Sequence, residues 1–238
     1  MKLALLRALN EARAARRAVV VETRLSDGAQ RLVEESEAQA GSRGEAIVKA
    51  LRSGRSVDVE EGGETYFINV HLPPPRIVVV GAVHISQALA PMARIAGYDI
   101  EIIDPRTAFA TPERFEASRL HAEWPQDVLT ARPLDPYCAL VAVTHDPKID
   151  DLPLRAALEA GCFYVGALGS RKTHGKRVER LQAAGLDERA IARIEAPIGV
   201  DIGASSPPEI AVAILASIIE AFRKRHMHPE RRGEMRAA

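Results

Sequence analysis

Arg76-Ile77-Val78-Val79-Val80-Gly81-Ala82-Val83-His84 decides the fold. A short β-branched run ends in a glycine loop, and the apolar spacing that follows, Ser86 to Ala96, has helical period. The same succession recurs twice. Ala139-Leu140-Val141-Ala142-Val143 runs into Thr144-His145-Asp146-Pro147 and a helix expected over Leu152–Ala160. Phe163-Tyr164-Val165-Gly166-Ala167 runs into Gly169-Ser170-Arg171-Lys172-Thr173-His174 and a helix over Lys172–Ala184. Short, continuously apolar strands alternating with helices predict a parallel sheet covered on both faces. In such sheets the loops at the carboxyl ends of the strands border the ligand crevice. Three polar loops, each carrying a histidine, are therefore expected to converge on one anion-binding site.

Working outward, further strands are expected at Tyr98–Ile103 and Arg119–Ala122, and a short helix at Asp187–Ile194. A long final helix is expected over Ser206–Arg225. It opens with Ser206-Pro207-Pro208-Glu209, a cap followed by prolines and an early acid. Upstream, Pro73-Pro74-Pro75 cannot continue a strand ladder and reads as a stiff spacer. Before it lie a helix at Leu3–Arg16, a strand at Ala18–Thr23, helices at Gln30–Gln39 and Glu45–Ser53, and a hairpin of Ser56–Glu60 and Thr65–Val70 about Gly62-Gly63. The expectation is an α/β protein. Residues 76–226 form a Rossmann-like doubly wound domain, residues 1–72 a small α+β domain, residues 73–75 the linker and residues 227–238 a basic tail.

Composition narrows the function. The 238 residues are 47% hydrophobic and 27% charged, and 32 basic side chains balance 32 acidic ones. A neutral chain gives no reason to expect nucleic acid as a partner. No apolar run reaches the about 18 residues of a membrane span, and Arg7, Asn10 and Glu11 interrupt the first apolar stretch too early for a signal peptide. The expected compartment is the cytoplasm. Cys138 and Cys162 form no CxxC pair and read as small buried hydrophobes. No metal site is expected.

Five stretches are candidates for chemistry. Gly81-x-Val83-x-x-Ser86 stands where a dinucleotide fingerprint belongs, but a valine replaces the glycine that lets backbone approach a pyrophosphate. His84 follows it. Asp104 stands near the offset, about 20 residues on, at which an acid binds a ribose hydroxyl. Arg106 beside it suits a ribose phosphate, and Asp104-Pro105-Arg106 reads equally well as a capped turn. Thr144, His145 and Asp146 offer a proton-transfer group or metal ligand with a partner to fix its tautomer, or else an Asx-Pro turn that starts a helix. In Gly169, Ser170, Arg171, Lys172, Thr173 and His174, continuing to Lys176 and Arg177, basic side chains crowd a helix N-terminus against the helix dipole, a conflict that a bound oxyanion relieves. Pro197-Ile198-Gly199-Val200-Asp201-Ile202-Gly203 places Asp201 and Gly203 in a loop suited to close approach by a ligand or another loop, or to a plain tight turn. No Ser-His-Asp order, HExxH or GxxxxGK[ST] motif occurs.

These same runs, Val80–Ile85, Ile103–Arg106, Thr144–Lys148, Ala167–His174 and Ala196–Ala204, resemble the XdhC/CoxI family, well over residues 76–222 and loosely over 1–72. The resemblance implies an accessory factor for molybdenum hydroxylases. Such a factor binds molybdenum cofactor transiently, helps it acquire its terminal sulfur with a cysteine desulfurase as donor, and hands it to the apo-enzyme. A homodimer is expected. Longer members carry a Ser-Gly-Gly-Cys-type motif in the N-terminal domain, whereas Leu25–Gly54 has no cysteine here, so no thiolate contact is expected from that domain. Two other classes fit the residues. One is an NAD(P)-dependent oxidoreductase with Asp104 and Arg106 on the ribose and His145 as acid/base. The other is a protein-binding scaffold with a vestigial crevice.

Overall fold

The computed structural model describes residues 1–115 and 118–224. The basic tail expected at 227–238 lies outside them. Two compact units meet in sequence between Pro73 and Pro74.

In the first unit, α1 (Leu3–Ala14) precedes an antiparallel sheet of β1 (Val19–Arg24), β2 (Gln30–Glu34), β3 (Val57–Glu61) and β4 (Glu64–His71), in the order β2-β1-β4-β3. α2 (Gly44–Ser53) packs on β4 and β1. Period-2 alternation divides β1 between two faces. Val19 and Val21 cluster with Leu9 and Ala12 of α1, while Val20 and Glu22 turn the other way. The hairpin of β3 and β4 closes on Gly62 and Gly63, with φ of 61° and 80°, the left-handed pair that a tight two-residue hairpin turn demands. The helix expected at Gln30–Gln39 does not form. Gln30–Glu34 pairs antiparallel with Thr23–Val19, burying Val33, and only Glu35–Ala40 coils, as a 3-10 turn. Cross-strand pairing overrides a weak local helical preference.

The second unit contains β5 (Arg76–Val80), α3 (His84–Ile95), β6 (Asp99–Ile103), β7 (Arg119–His121), α4 (Pro125–Ala131), β8 (Cys138–Ala142), α5 (Pro147–Glu159), β9 (Tyr164–Ala167), α6 (Arg171–Ala183), α7 (Glu188–Ile191), β10 (Ile194–Glu195) and α8 (Pro207–Lys224). The strands form one parallel sheet in the order β10-β9-β8-β5-β6-β7. Counted within the unit this is the doubly wound order 3-2-1-4-5-6, which reverses between β5 and β8. All five residues of β5 are buried. Ile77 and Val79 join Leu89 of α3 and Ile214 and Ile218 of α8. Val78 and Val80 join Val128 of α4, Leu154 and Leu158 of α5 and Leu181 of α6. Burial on both faces explains why this strand reads as a continuous apolar run.

Two boundaries differ from expectation by three residues or more, and one helix is additional. α5 begins at Pro147, five positions before Leu152, because Asp146 caps it through Lys148 N (2.9 Å) and proline occupies the first turn. Asp187 caps α7 through Ala190 N (2.7 Å), but α7 stops at Ile191, and Ile194–Glu195 instead pair with Val165 and Gly166 as β10. α4 carries too short an apolar pattern to be expected from sequence. Among the described residues, no helix is long and apolar enough to cross a membrane, and no three His, Cys, Asp or Glu side chains cluster to hold a metal.

Candidate functional site

The strand order brings the loops after β5 and β8 together at the point of reversal. Gly81 (φ 124°) approaches so closely that a Cβ there would lie 3.0 Å from Thr144 Cγ2 and 3.1 Å from Val143 Cγ2. Glycine meets both demands, positive φ and lack of bulk.

The amides of Gly81, Ala82 and Val83 in the glycine loop are spent within the protein, that of Gly81 on Ile103 O (2.8 Å). Ala82 N donates to Asp104 Oδ2 (2.7 Å) and Val83 N to Ser86 Oγ (2.8 Å), while the Ser86 hydroxyl lies 2.7 Å from the carbonyls of Gly81 and Val83. Arg114 Nη1 donates to Ala82 O (3.0 Å). Asp104, fully buried, is also filled. It accepts from Arg106 N and Nε on Oδ1 (2.9 Å each) and from Arg106 Nη2 on Oδ2 (2.7 Å), besides Ala82. Each carboxylate oxygen thus takes two donors, the full acceptor capacity of the group. The turn reading of Asp104-Pro105-Arg106 describes this geometry. His84 is exposed at the start of α3.

The cleft lies one strand over, between the ends of β8 and β9. It measures about 310 Å³ and is lined by His145, Pro147, Asp150 and Asp151 from the β8 loop and α5, and by Lys172, Thr173, Lys176, Arg177 and Arg180 from α6. Four permanent cations against two carboxylates leave it net positive. His145 adopts φ 64°, a left-handed conformation uncommon outside glycine. That turn lets the Thr144 hydroxyl donate to Asp150 Oδ1 (2.6 Å) and His145 N to Asp150 Oδ2 (3.1 Å). Thr144 Oγ1 in turn accepts from Asp146 N (3.0 Å). Ser170 caps α6 by accepting from Thr173 N (3.2 Å).

Two buried groups define the electrostatics. Asp150 is 1% exposed, and burial pushes its carboxyl up to about 6 against the Thr144 hydrogen bond and the charge of Arg177. Arg177 is 2% exposed, and only its Nη2 is paired, to Leu168 O (3.0 Å); Nε and Nη1 are buried without a hydrogen-bond partner. Arg180, by contrast, grips Asp151 with two bonds (2.5 and 3.0 Å). Orphaned N–H groups on a buried guanidinium are costly unless a ligand completes them. His174 lies beside Arg177; burial and that charge lower its pKa, and its Nδ1 also lacks a partner.

The expected residues therefore separate. His145 and Lys172 line the cleft, and Thr144, Asp146, Gly169 and Ser170 shape the loops that form it. Arg106 stands within electrostatic reach of Asp150 and Asp146. Gly81, Val83 and Asp104 build the neighbouring loop. Arg171 is exposed and does not line the cleft. Asp201 and Gly203 sit on an exposed loop, joined by Gly203 N to Asp201 Oδ1 at 3.4 Å. Asp150 is not singled out by the sequence, whereas Arg177 and Lys176 belong to the basic run that continues the Gly169–His174 stretch and both line the cleft. Arg177 had a signal, an arginine four residues before Leu181 on the buried stripe of α6.

A doubly wound parallel sheet with its polar loops at the strand ends defines a Rossmann-type domain. The chain belongs to the XdhC family: residues 77–218 match the XdhC Rossmann domain. It is 34% identical over 161 residues to the uncharacterized protein YqeB of Escherichia coli, covering 67% of this chain and 29% of that protein. It is 31% identical over 160 residues to a probable xanthine dehydrogenase subunit of Bacillus subtilis, covering 67% and 46%. It is 30% identical over 146 residues to the molybdenum cofactor insertion chaperone PaoD of Escherichia coli, covering 61% and 40%. The chain thus spans less than half the length of each of these relatives. The crystal structure of a xanthine dehydrogenase from Bacillus halodurans shares the fold, with a TM-score of 0.61 at 22% identity over 92% of this chain and 64% of the other.

Proposed function

We propose that this chain is a maturation factor for a molybdenum hydroxylase, which binds molybdenum cofactor as cargo and delivers it to the apo-enzyme. The observation that carries the reading is Arg177, a buried cation with two uncommitted guanidinium nitrogens, Nε and Nη1, on the wall of a net positive cleft. The cofactor is a pterin with a phosphate and an oxo-metal centre. Its phosphate suits Arg177 flanked by Lys172 and Lys176, because charge-assisted bonds to phosphate complete donors that the fold leaves open. The N-terminus of α6 adds its dipole. His145 stands across the cleft from α6 and would face the remainder of the ligand. The kinship with a molybdenum cofactor insertion chaperone supports the same reading.

The oxidoreductase alternative draws on groups already engaged. Two of its loop amides and its ribose acid are all hydrogen-bonded inside the protein. Participation of a sulfur-donating cysteine desulfurase, a homodimer and a cytoplasmic location belong to the same proposal.

Native mass spectrometry of the protein mixed anaerobically with equal molybdenum cofactor and NADPH tests it. The expected result is a molybdopterin adduct that Lys172→Ala/Lys176→Ala abolishes, both side chains being exposed and so removable without disturbing the core. An NADPH adduct with no molybdopterin adduct would overturn the reading.

A further inference from the structure

An anion cleft is not expected to contain a buried carboxylate, yet Asp150 is on its wall. Asp151, the other acid of the cleft, is neutralised by Arg180. Asp150 has no such partner. It makes no ion pair among the described residues, although Arg177 lines the same cleft and acts on it electrostatically. The Thr144 hydroxyl donates to its Oδ1 and His145 N to its Oδ2, and the Thr144 amide is also turned to the carboxylate. A carboxylate has room for about four donors, so it keeps acceptor capacity. An anion seated on Arg177 would bring a second negative charge against a carboxylate in a low-dielectric wall, where like charges cannot both remain ionised.

The geometry points to a site that takes a phosphate-type oxyanion together with one proton, shared between the anion and Asp150. This inference rests on the cleft being the anion site of the proposed function, and it names the chemistry that the site selects. An oxyanion carrying its own proton donates it to Asp150 and binds over a wide pH range. A fully ionised oxyanion binds only when Asp150 itself takes up a proton. Asp150 is therefore the specificity-determining residue, and Arg177, Lys172 and Lys176 supply attraction common to both kinds of anion.

The groups facing Asp150 allow this assignment. From its own helix come Asp146, the cap, and Asp151, already paired. From the β8 loop comes His145. From α6 come Arg177, Arg180, Lys172 and Lys176, and from the turn after β6 comes Arg106. α4 also packs on α5, but its single acid, Asp127, is exposed. Burial sets the carboxyl of the ligand-free protein near 6, so protonating it is easy at pH 5 and costs about a hundredfold in affinity at pH 8, at about tenfold per unit.

The experiment is calorimetric titration of the full chain with inorganic phosphate and, separately, with sulfate, from pH 5 to pH 8. Inorganic phosphate retains a proton at pH 8 and sulfate does not. The expected result is comparable affinity for the two at pH 5. By pH 8 sulfate affinity should fall about a hundredfold, with phosphate holding at least about tenfold tighter than sulfate. In Asp150→Asn the fall in sulfate affinity from pH 5 to pH 8 should shrink to about tenfold or less, and the preference for phosphate should vanish. Equal binding of both anions by the unaltered protein at pH 8, no binding of either, or an undiminished pH dependence in Asp150→Asn would each overturn the inference. The comparison of the two anions on the unaltered chain decides the matter even if Asp150→Asn fails to fold. The molybdopterin adduct is read independently of pH, so the carrier function stands or falls separately.

Discussion

Glu22 in the first unit and Asp150 in the second are both carboxylates shut away from water, 4% and 1% exposed. Their surroundings drive them in opposite directions. Glu22 accepts two bonds from Arg31 (2.8 and 3.1 Å) and two from Arg43 (both 2.9 Å), and Arg43 is further held by Glu61 and lies 3.7 Å over the Tyr66 ring. Burial alone would raise its pKa; the two arginines outweigh burial and hold it at about 2. Asp150 has burial without that compensation and sits at about 6. A buried charge whose partners are all supplied by the fold serves the fold. A buried charge left short of partners marks a place where something else completes the set.

The contrast can be broken most directly at its structural end. Arg43→Ala strips Glu22 of its better-buried partner and leaves a buried carboxylate half-compensated. The expected loss is about 3 kcal/mol of unfolding free energy, measured by urea denaturation of the whole chain. A loss below about 1 kcal/mol would mean that Arg31 alone suffices.

A second, smaller effect lies in the pH dependence of stability. Glu22 has a folded pKa below its usual 4.5, so its contribution is present above pH 4.5 and is lost as pH falls toward 2. Asp150 has a folded pKa above its usual 3.8, so its contribution is present below pH 4 and is lost as pH rises through 6. Between pH 4 and pH 7 the unaltered protein should therefore lose about 2 kcal/mol relative to Asp150→Asn. Parallel stability curves for the two proteins would show that Asp150 titrates normally.

The smallest effect is expected at Arg177. Replacing it with methionine removes one hydrogen bond, to Leu168 O, but also a buried charge that the protein does not pair. Stability should change by less than about 1 kcal/mol, although the same substitution should abolish the molybdopterin adduct. A large loss of stability in Arg177→Met would place this arginine with Arg43, as part of the scaffold.

The same asymmetry explains what was legible in the sequence. Strands β5, β8 and β9 and the helices after them are readable because burial on both faces writes itself as uninterrupted apolar runs. Gln30–Glu34 is misread because its strand character comes from β1, a partner that local periodicity does not encode. β10 has only two residues and no pattern of its own. At the site, the loops are announced by polar residues that follow apolar strands directly, which draws attention to His145 and Lys172. Asp150 escapes because an acid in the first turn of a helix looks like a response to the dipole. Its burial becomes evident only when α5 and α6 close on it. Asp104 and Arg106 show the reverse: ribose chemistry and turn chemistry use the same residues, and only the hydrogen bonds favour the turn.

The loop after β5 also bears on how this domain can change. A dinucleotide-binding ancestor or descendant would need the amides of Ala82 and Val83 facing outward, with no side chain at Val83. Removing that side chain alone leaves both amides turned inward, bound to Asp104 and Ser86. Removing Asp104 alone orphans Ala82 N and frees Arg106; removing Ser86 alone orphans Val83 N. Each single step loses stability before any outward-facing amide is gained, so opening this loop to a pyrophosphate takes several substitutions made together.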